Sequence, residues 1–395
     1  MAVTRKTLDR YVCAGWLAIT LLQLSSSFQP PSFLPRPRTS FYPAIFPTEI
    51  HQQRLLQIHT TSTIQSSTSE NYSFYEIVTR KEKEIDDFVK KHSASDDPLQ
   101  MLLGYMDHTD VDTDYEVKRT KLPKALRRGV RPGQSLSKQT KNPTGETETA
   151  TSEVFEEDDS PKRLSVGVDI KRKSPTSSSP RPLVSFDDAG SVASAFVSFG
   201  VDFVFANCDY STYGGDLSEL KSVVAAVRGA APSVPVIMKD IVIDPIQIAL
   251  AKHVGCDAIV VMACIVGDKL EDFLNTATLM NFDIIVEVHT SEEISNALEA
   301  GATNLLVNRF DRMSGNSFHP NQPFALVEDL PPGGVTTTLV TGGINTVEEA
   351  AEFLDAGFDG VLLGKGFMGN VEADKLVRGI REVEHGSFAY AGLGF

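Results

Sequence analysis

Short apolar runs alternate with segments of helical periodicity from Leu164 to about Val383. Such alternation is typical of consecutive βα units that share one parallel sheet. Gly255, Gly301 and Gly357 each stand between a predicted helix and the next strand, where glycine commonly ends a helix. The predicted strands lie near 165–170, 202–207, 234–239, 257–263, 283–288, 304–308, 337–341 and 360–364.

Eight such units predict an α/β fold, a TIM (β/α)8 barrel, which we place at residues 161–395 as the catalytic domain. Helices are predicted between the strands, for example at 245–254, 291–300 and 346–356. A doubly wound open sheet is the alternative fold. It is disfavoured because no G-x-G-x-x-G turn follows the first strand.

The chain between 71 and 160 has two different patterns. Residues 71–107 form a predicted helical extension, whose main helix runs from Ser73 to about His92, with a capping box of Ser73 and Glu76 and an apolar stripe at helical spacing. Residues 108–160 are polar, basic at first and acidic later. Since they can bury little apolar area, we expect a flexible, dispensable insertion there.

Residues 1–70 have the composition of a targeting leader. Arg5, Lys6 and Arg10 precede the apolar run Tyr11–Leu22, and three serines follow, as in a secretory signal. No acidic residue occurs between Arg10 and Glu49, as in transit peptides. We therefore expect a disordered bipartite leader that directs the protein to the plastid, the chloroplast stroma. Plain secretion is the alternative.

Charge and cysteine content narrow the classes of partner. The formal net charge of −15 disfavours nucleic-acid binding, so an anionic substrate would need a local basic cluster. The run Tyr11–Leu22 is too short to favour a transmembrane helix, and we expect no membrane contact in the mature form. The four cysteines show no zinc spacing, so we expect neither a structural metal nor a disulfide framework.

Charged residues end three of the predicted strands. Lys171, Lys239 and Glu287 lie at the carboxyl ends of strands one, three and five, and Asn308 ends strand six. Alternate strands of such a barrel send side chains into shared layers, and enzymes of this fold build their sites at the carboxyl ends of the strands. Each residue alone is most simply a solvated charge. Together they predict an acid–base site in which a desolvated lysine donates a proton and a carboxylate accepts one.

Two glycine turns close the predicted barrel. Thr341-Gly342-Gly343 follows strand seven and Gly364-Lys365-Gly366 follows strand eight. Glycine allows backbone N–H groups to approach an anion, and the turns after strands seven and eight form the usual phosphate site of this fold. We therefore assign Gly343, Gly364 and Lys365 to a phosphate. Plain βα turns are the alternative.

With these residues in place, the sequence resembles the indole-3-glycerol-phosphate synthase family. The amphipathic helix matches the extra helix that this family lays over its barrel, and the resemblance extends from about 71 to 384 apart from the polar insertion. The matching segments are Ile170-Lys171-Arg172-Lys173-Ser174-Pro175, Gly214-Gly215-Asp216-Leu217, Met238-Lys239-Asp240, Asp244-Pro245-Ile246-Gln247 and Val286-Glu287-Val288.

The resemblance implies a carboxy-lyase of tryptophan biosynthesis that closes the indole ring of 1-(2-carboxyphenylamino)-1-deoxyribulose 5-phosphate without cofactor or metal. By position, Lys239 would be the general acid and Glu287 the acid/base on the closing ring. Lys171, beside Asp169, would hold the substrate carboxylate, assist dehydration and stand near the phosphate, while Asn308 would orient the ribulose hydroxyls. Association with other tryptophan-pathway enzymes is also implied.

The chain departs from the family pattern at several of these positions. Asp169 stands where the family has Glu, and Thr341-Gly342-Gly343 replaces Glu-Ser-Gly, so a carboxylate is missing. The family's Asn-x-Arg-Asp becomes Asn308-Arg309-Phe310-Asp311, which displaces or removes an arginine. Two alternatives therefore stay open, namely a phosphosugar-binding barrel with another substrate and an inactive scaffold.

Overall fold

Eight parallel strands close into a barrel in the computed structural model, which describes residues 74–104, 122–126, 140–141, 147–148, 162–175, 183–331 and 336–385. Each strand pairs with its neighbours in sequence, and the last pairs with the first, so the predicted TIM barrel is confirmed. The barrel strands are β1 Ser165–Ile170, β2 Phe203–Asn207, β3 Val236–Lys239, β4 Ala258–Met262, β5 Asp283–Val288, β6 Asn304–Asn308, β7 Thr337–Thr341 and β8 Gly360–Leu363.

Helices lie between the strands and before them. The predicted helix ends at Gly255, Gly301 and Gly357 are confirmed, since all three residues have a positive φ, which glycine adopts at low cost. The helices are α1 Phe74–Lys91, α2 Pro98–Gly104, α3 Leu122–Leu126, α4 Ala189–Phe199, α5 Tyr210–Tyr213, α6 Leu217–Ala230, α7 Ile246–Val254, α8 Ala263–Val266, α9 Leu270–Leu279, α10 Ser291–Glu299, α11 Gln322–Ala325, α12 Val347–Asp355 and α13 Ala373–Glu382.

Two apolar layers hold the barrel together. Outward-facing strand residues such as Val166 and Val168 pack with the surrounding helices in one large core. Inward-facing residues such as Phe203 and Phe205 form a second core within the barrel. Because both faces of every strand are buried, the strands read as continuous apolar runs rather than alternating ones.

Helix α3 closes the barrel at the amino ends of the strands. Leu122 and Leu126 are fully buried and belong to the inner core, and the Ser165 Oγ donates to the Leu126 carbonyl at 2.8 Å. This helix falls within the range that we expected to be a flexible, dispensable insertion. That expectation does not hold for these five residues, because two leucines at helical spacing suffice to fill the barrel opening. Most of the remaining range lies outside the described residues, apart from a short antiparallel pair at Thr140–Lys141 and Thr147–Glu148.

Helix α1 confirms the predicted amphipathic extension and docks on the opposite end of the barrel. Phe74, Ile77, Val78 and Ile85 are buried in the outer core. The Lys81 ammonium group is also buried and lies 2.9 Å from Asp209 and 3.0 Å from Asp240, in the loops after β2 and β3. The extension is therefore anchored by charge as well as by apolar packing.

The predicted targeting leader and the expected absence of membrane contact stay predictions. The leader, residues 1–70, lies outside the described part of the chain. Among the described residues, no helix is at once long and apolar enough to cross a membrane.

Candidate active site

The buried carboxylate of Glu287 is the centre of the candidate site. Its Oε1 atom accepts hydrogen bonds from Asn308 Nδ2 at 2.8 Å and from Arg312 Nε at 3.1 Å. The Lys239 Nζ atom lies 3.3 Å from the other oxygen, Oε2, which has no hydrogen-bond donor among the described residues. One carboxylate oxygen is thus saturated, while the other faces an ammonium group.

A second group of side chains surrounds Asp169 at the end of β1. Lys171 Nζ donates to Asp169 Oδ2 at 2.5 Å, and Asn207 Nδ2 donates to the other oxygen at 2.5 Å. Asn207 also donates to the Ile170 carbonyl at 3.0 Å. The carboxylate therefore holds Lys171 from one side and is itself held by β2 from the other.

Opposing effects set the charge of Glu287 and Lys239. Burial raises the pKa of the Glu287 carboxyl, but Lys239 and Arg312 outweigh burial and hold that pKa well below its usual range. Burial lowers the pKa of the Lys239 ammonium group, but Glu287 and Asp169 outweigh burial and raise it. At neutral pH the pair is ionised, so Lys239 has a proton to donate and Glu287 can accept one.

Lys171 is in a different electrostatic situation. Burial lowers its pKa, and the nearby charge of Lys239 lowers it further, so that Asp169 does not restore the usual value. At Asp169, burial raises the pKa of the carboxyl, but the charges of Lys171 and Lys239 outweigh burial and hold that pKa below its usual range. The two lysines therefore differ, because Lys171 releases its proton more readily than Lys239 does.

The two glycine turns lie next to this cluster. A Cβ atom at Gly364 would stand 3.3 Å from Lys171 Nζ, and one at Gly343 would stand 3.2 Å from the Phe318 ring. Asn345 joins the turns, since its Nδ2 donates to the Gly343 carbonyl at 2.7 Å and its side chain fills the space beside Gly366.

Several backbone donors in these turns are available to a ligand. Within the described residues, the backbone N–H groups of Gly343, Lys365 and Gly366 donate no hydrogen bond. The side chain of Lys365 is exposed at the rim, away from the buried cluster. An anion held here would be bound by backbone amides and by Lys171 more than by the Lys365 side chain.

A hairpin after β6 covers one side of the site. It pairs Phe310–Asp311 with Ser317–Phe318, and the Phe310 and Phe318 rings lie 4.8 Å apart. Arg309 points away from Glu287 and donates to the Gly342 carbonyl at 3.0 Å and to Glu349 at 2.5 Å. Arg312, at the hairpin tip, turns inward instead. The loop thus uses one arginine to hold the β7 turn and another to contact Glu287.

One cluster in the described residues has the composition of a metal site. A thiol, a ring nitrogen and a carboxylate oxygen from Cys264, His289 and Glu293 lie within 4.8 Å of one another. The Glu293 Oε2 atom already accepts the His289 backbone N–H at 2.7 Å and lies 3.1 Å from His289 Nδ1. We interpret the group as a hydrogen-bonded cluster behind Glu287, since its carboxylate oxygen is occupied.

The family model for indole-3-glycerol phosphate synthase matches residues 115–380. This chain belongs to that family. An indole-3-glycerol phosphate synthase of Thermoanaerobacter pseudethanolicus is 28% identical over 225 residues, which are 56% of this chain and 82% of the relative. One from Chlorobium phaeovibrioides is 31% identical over 210 residues, which are 53% of this chain and 77% of the relative. Among solved structures, 3-hexulose-6-phosphate synthase of Salmonella typhimurium is 14% identical with a TM-score of 0.42, covering 55% of this chain and 97% of that one.

Membership of the indole-3-glycerol phosphate synthase family makes the chain a carboxy-lyase of tryptophan biosynthesis that acts on a phosphorylated small molecule. The departures from the family pattern can now be located. Phe310 stands where the family has an arginine, and the arginine that contacts Glu287 in this chain is Arg312, from the tip of the hairpin. The carboxylate missing at Thr341 is not replaced there, since the Thr341 hydroxyl donates to the Leu362 carbonyl at 3.0 Å.

Sequence reasoning missed four polar or aromatic residues at the site. Arg312 follows the motif Asn308-Arg309-Phe310-Asp311, and only the hairpin places its side chain next to Glu287. Asn207 is the last residue of β2, as Asn308 is of β6, and this shared position could have identified Asn207 as a site residue. His289 follows Glu287 by two positions and so lies on the same side of β5. Tyr213 is buried, and its pKa is raised by burial, against the charges of Arg312 and Lys239.

Proposed function

We propose that this protein converts 1-(2-carboxyphenylamino)-1-deoxyribulose 5-phosphate to indole-3-glycerol phosphate, with loss of carbon dioxide and water. The observation that carries the proposal is the convergence of Lys239, Glu287 and Lys171 beside glycine turns with unpaired backbone donors. Ring closure by carbonyl addition needs a cation at the developing oxyanion and an acceptor for the departing proton. This cluster supplies both.

The first step is assigned to Lys239. As the aromatic ring carbon attacks the substrate ketone, Lys239 gives its proton to the ketone oxygen, which becomes a hydroxyl group. Glu287 keeps Lys239 charged until then, since its carboxylate raises the lysine pKa. The carboxylate of the anthranilate ring leaves as carbon dioxide and leaves its bonding electrons in the ring.

The second step is assigned to Lys171 and Glu287. Loss of water requires a proton on the leaving hydroxyl group and an acceptor for the proton removed from the adjacent carbon. The lowered pKa of Lys171 suits the donor role, and the unbonded Oε2 atom of Glu287 suits the acceptor role. Asp169 holds Lys171 in place, and Asn308 lies beside Glu287, where it could orient the ribulose hydroxyls.

The substrate's anionic groups fit the remaining donors. The phosphate is proposed to lie at Gly343 and Gly364, with backbone N–H groups as donors and Lys171 nearby. The substrate carboxylate is proposed to lie near Lys171 and Arg312. In the described residues, Arg312 Nη2 has no acceptor, whereas Nε and Nη1 bind Glu287 and Asn316.

The experiment is an indole-fluorescence assay with the purified full-length protein and the carboxyphenylamino-deoxyribulose phosphate. We expect fluorescence to rise as indole-3-glycerol phosphate forms, and the rise to require Lys239. A protein that binds this substrate without turning it over would be the scaffold alternative. No binding and no turnover would favour a barrel with another phosphosugar substrate.

The proposal also covers where the protein acts in the cell and which enzymes it works with. We infer that the protein acts in the chloroplast stroma, from the leader composition of residues 1–70. There it would work beside other tryptophan-pathway enzymes. A fluorescent protein fused behind residues 1–70 and expressed in an alga with complex plastids tests the location, and secretion of the fusion would contradict it.

A further inference from the structure

His289 is a buried histidine that the proposed reaction does not use. It follows Glu287 by two positions, so both side chains leave β5 on the same side. His289 Nε2 lies 3.5 Å from Glu287 Oε1, in ion-pair range, and forms no hydrogen bond with any of the described residues. His289 Nδ1 lies 3.1 Å from Glu293 Oε2. The ring therefore stands between a carboxylate of the site and a carboxylate at the start of α10.

We propose that His289 is a positioning residue that directs a third N–H group to Oε1 of Glu287 and so leaves Oε2 as the proton-accepting oxygen. This inference rests on the proposed function, in which Glu287 accepts a proton. It adds a role for a pair, His289 and Glu293, that lies behind the carboxylate and does not touch the substrate.

The first step is the asymmetry of the Glu287 carboxylate. Asn308 and Arg312 both donate to Oε1, and His289 approaches the same atom. No donor forms a hydrogen bond with Oε2 among the described residues, although Lys239 lies 3.3 Å away. An oxygen that already accepts several hydrogen bonds is a poor base, because each bond stabilises its negative charge. Oε2, which accepts no hydrogen bond from these residues, therefore keeps its lone pairs open on the side of Lys239, where the substrate reacts.

The second step is the charge of the His289 ring. Its Nδ1 faces the Glu293 carboxylate and its Nε2 faces the Glu287 carboxylate, and both nitrogens can donate only when the ring is doubly protonated and charged. Burial lowers the pKa of His289, but its contacts with Cys264, Glu287 and Glu293 outweigh burial and raise that pKa well above its usual value. Those three are the titratable groups that face the ring, from α8, β5 and α10. Beyond Glu287, Arg312 contacts the same oxygen, Oε1, and Lys239 faces the other oxygen, Oε2.

The third step is the fixed position of Glu293. Its backbone N–H donates to Thr290 Oγ1 at 3.2 Å, while its Oε2 atom accepts the His289 backbone N–H at 2.7 Å. This reciprocal cap belongs to the start of α10 and holds the carboxylate against the ring. The helix start thus orients the imidazole, and the imidazole orients the carboxylate.

The experiment compares the full-length protein with His289→Gln and with His253→Gln, an exposed histidine on α7 as the matched control. We expect His289→Gln to lower kcat about tenfold with KM little changed, because Glu287 loses a positioning contact and not a substrate contact. His253→Gln should match the unaltered protein. Equal kcat values in all three would overturn the inference.

Glu293→Gln tests the same inference if His289→Gln fails to fold by circular dichroism. Without the Glu293 charge, the His289 ring loses its proton at lower pH, so turnover should fall at a lower pH than in the unaltered protein. An unchanged pH profile would overturn the inference.

A measurement without turnover separates this inference from the proposed function. Nitrogen NMR of histidine-labelled protein should show one ring, absent from His289→Gln or shifted in Glu293→Gln, that stays protonated well above the usual pKa. If that ring titrates at the usual value, the inference fails whatever the protein catalyses. If it stays protonated but no indole product forms, only the proposed function fails.

Discussion

Two buried charge clusters lie at the same end of this barrel, and they differ in how completely their charges are paired. In the first, which we name the clamp cluster, Lys81 of α1 lies about 3 Å from each of two aspartates, Asp209 and Asp240, and Arg80 lies 2.8 Å from Asp209. In the second, the site cluster, Lys171, Lys239 and Arg312 face two carboxylates, Asp169 and Glu287. Both clusters bury a lysine almost completely.

The pKa directions express the difference. Burial lowers the pKa of Lys81, but the aspartates outweigh it and raise that pKa. Burial raises the pKa of Asp209, but Lys81 and Arg80 lower it to about 2. In the site cluster, by contrast, burial lowers the pKa of Lys171, and none of the described residues donates a hydrogen bond to Oε2 of Glu287.

Complete pairing suits a structural contact, whereas an excess of cations with a free basic oxygen suits binding and proton transfer. Lys81 and Arg80 balance the two aspartates of the clamp cluster, which therefore holds α1 on the barrel, although burial outweighs Lys81 at Asp240 and keeps the pKa of that carboxyl above its usual value. The site cluster has one positive charge more than its carboxylates neutralise, which an anionic substrate would offset. The following predictions test that division.

The largest effect is expected for Lys239→Met in the site cluster. We expect kcat to fall about a thousandfold while KM changes much less, because a lost proton donor acts mainly on the transition state. Steady-state kinetics by indole fluorescence measures both. Lys375→Met, at an exposed lysine of α13, is the control. An unchanged kcat would remove Lys239 from the acid role.

Lys81→Met should instead affect stability. Removing the ammonium group leaves two buried aspartates without their shared partner, at an expected cost of roughly 3 kcal/mol in the free energy of unfolding. Urea unfolding measures this change, and kcat per folded molecule should stay near that of the unaltered protein. Lys90→Met on the exposed face of the same helix is the control. A large loss of kcat with unchanged stability would assign Lys81 to the site cluster.

Arg312→Lys should have an intermediate effect. Lysine keeps the positive charge but lacks the planar guanidinium group, whose separate N–H groups can contact Glu287 and a substrate carboxylate in fixed directions, so we expect kcat/KM to fall about tenfold. The same fluorescence assay measures it, with Arg378→Lys on the surface of α13 as the control. Full activity in Arg312→Lys would show that charge alone suffices at this position.

The smallest effect concerns pH. Burial and Lys239 lower the pKa of Lys171, and Asp169 opposes them. Asp169→Asn removes that opposition, so Lys171 should lose its proton at lower pH, and kcat should begin to fall earlier as pH rises. The kcat profile from neutral to alkaline pH measures this shift, with Asp268→Asn as an exposed control. A shift to higher pH would show that Asp169 does not sustain the charge of Lys171.

Much of the barrel and part of the site could be predicted from local sequence. Strand positions follow from apolar runs, and glycines such as Gly255 end helices because glycine adopts a positive φ at low cost. Lys171, Lys239 and Glu287 could be placed because each directly follows or ends a strand. Leu122 and Leu126 could not be recognised as the barrel's closure, because two leucines in a polar stretch give no signal of where that stretch folds.

What the sequence by itself determined is therefore the order of βα units, the family and the residues at the strand ends. Tertiary structure alone decided which charges are paired. Arg80 and Asp209 are 129 positions apart, and Arg312 reaches Glu287 only through the turn of a hairpin. The physical reason is that a pKa and an ion pair depend on distance and burial in space, which barrel closure fixes and chain order does not.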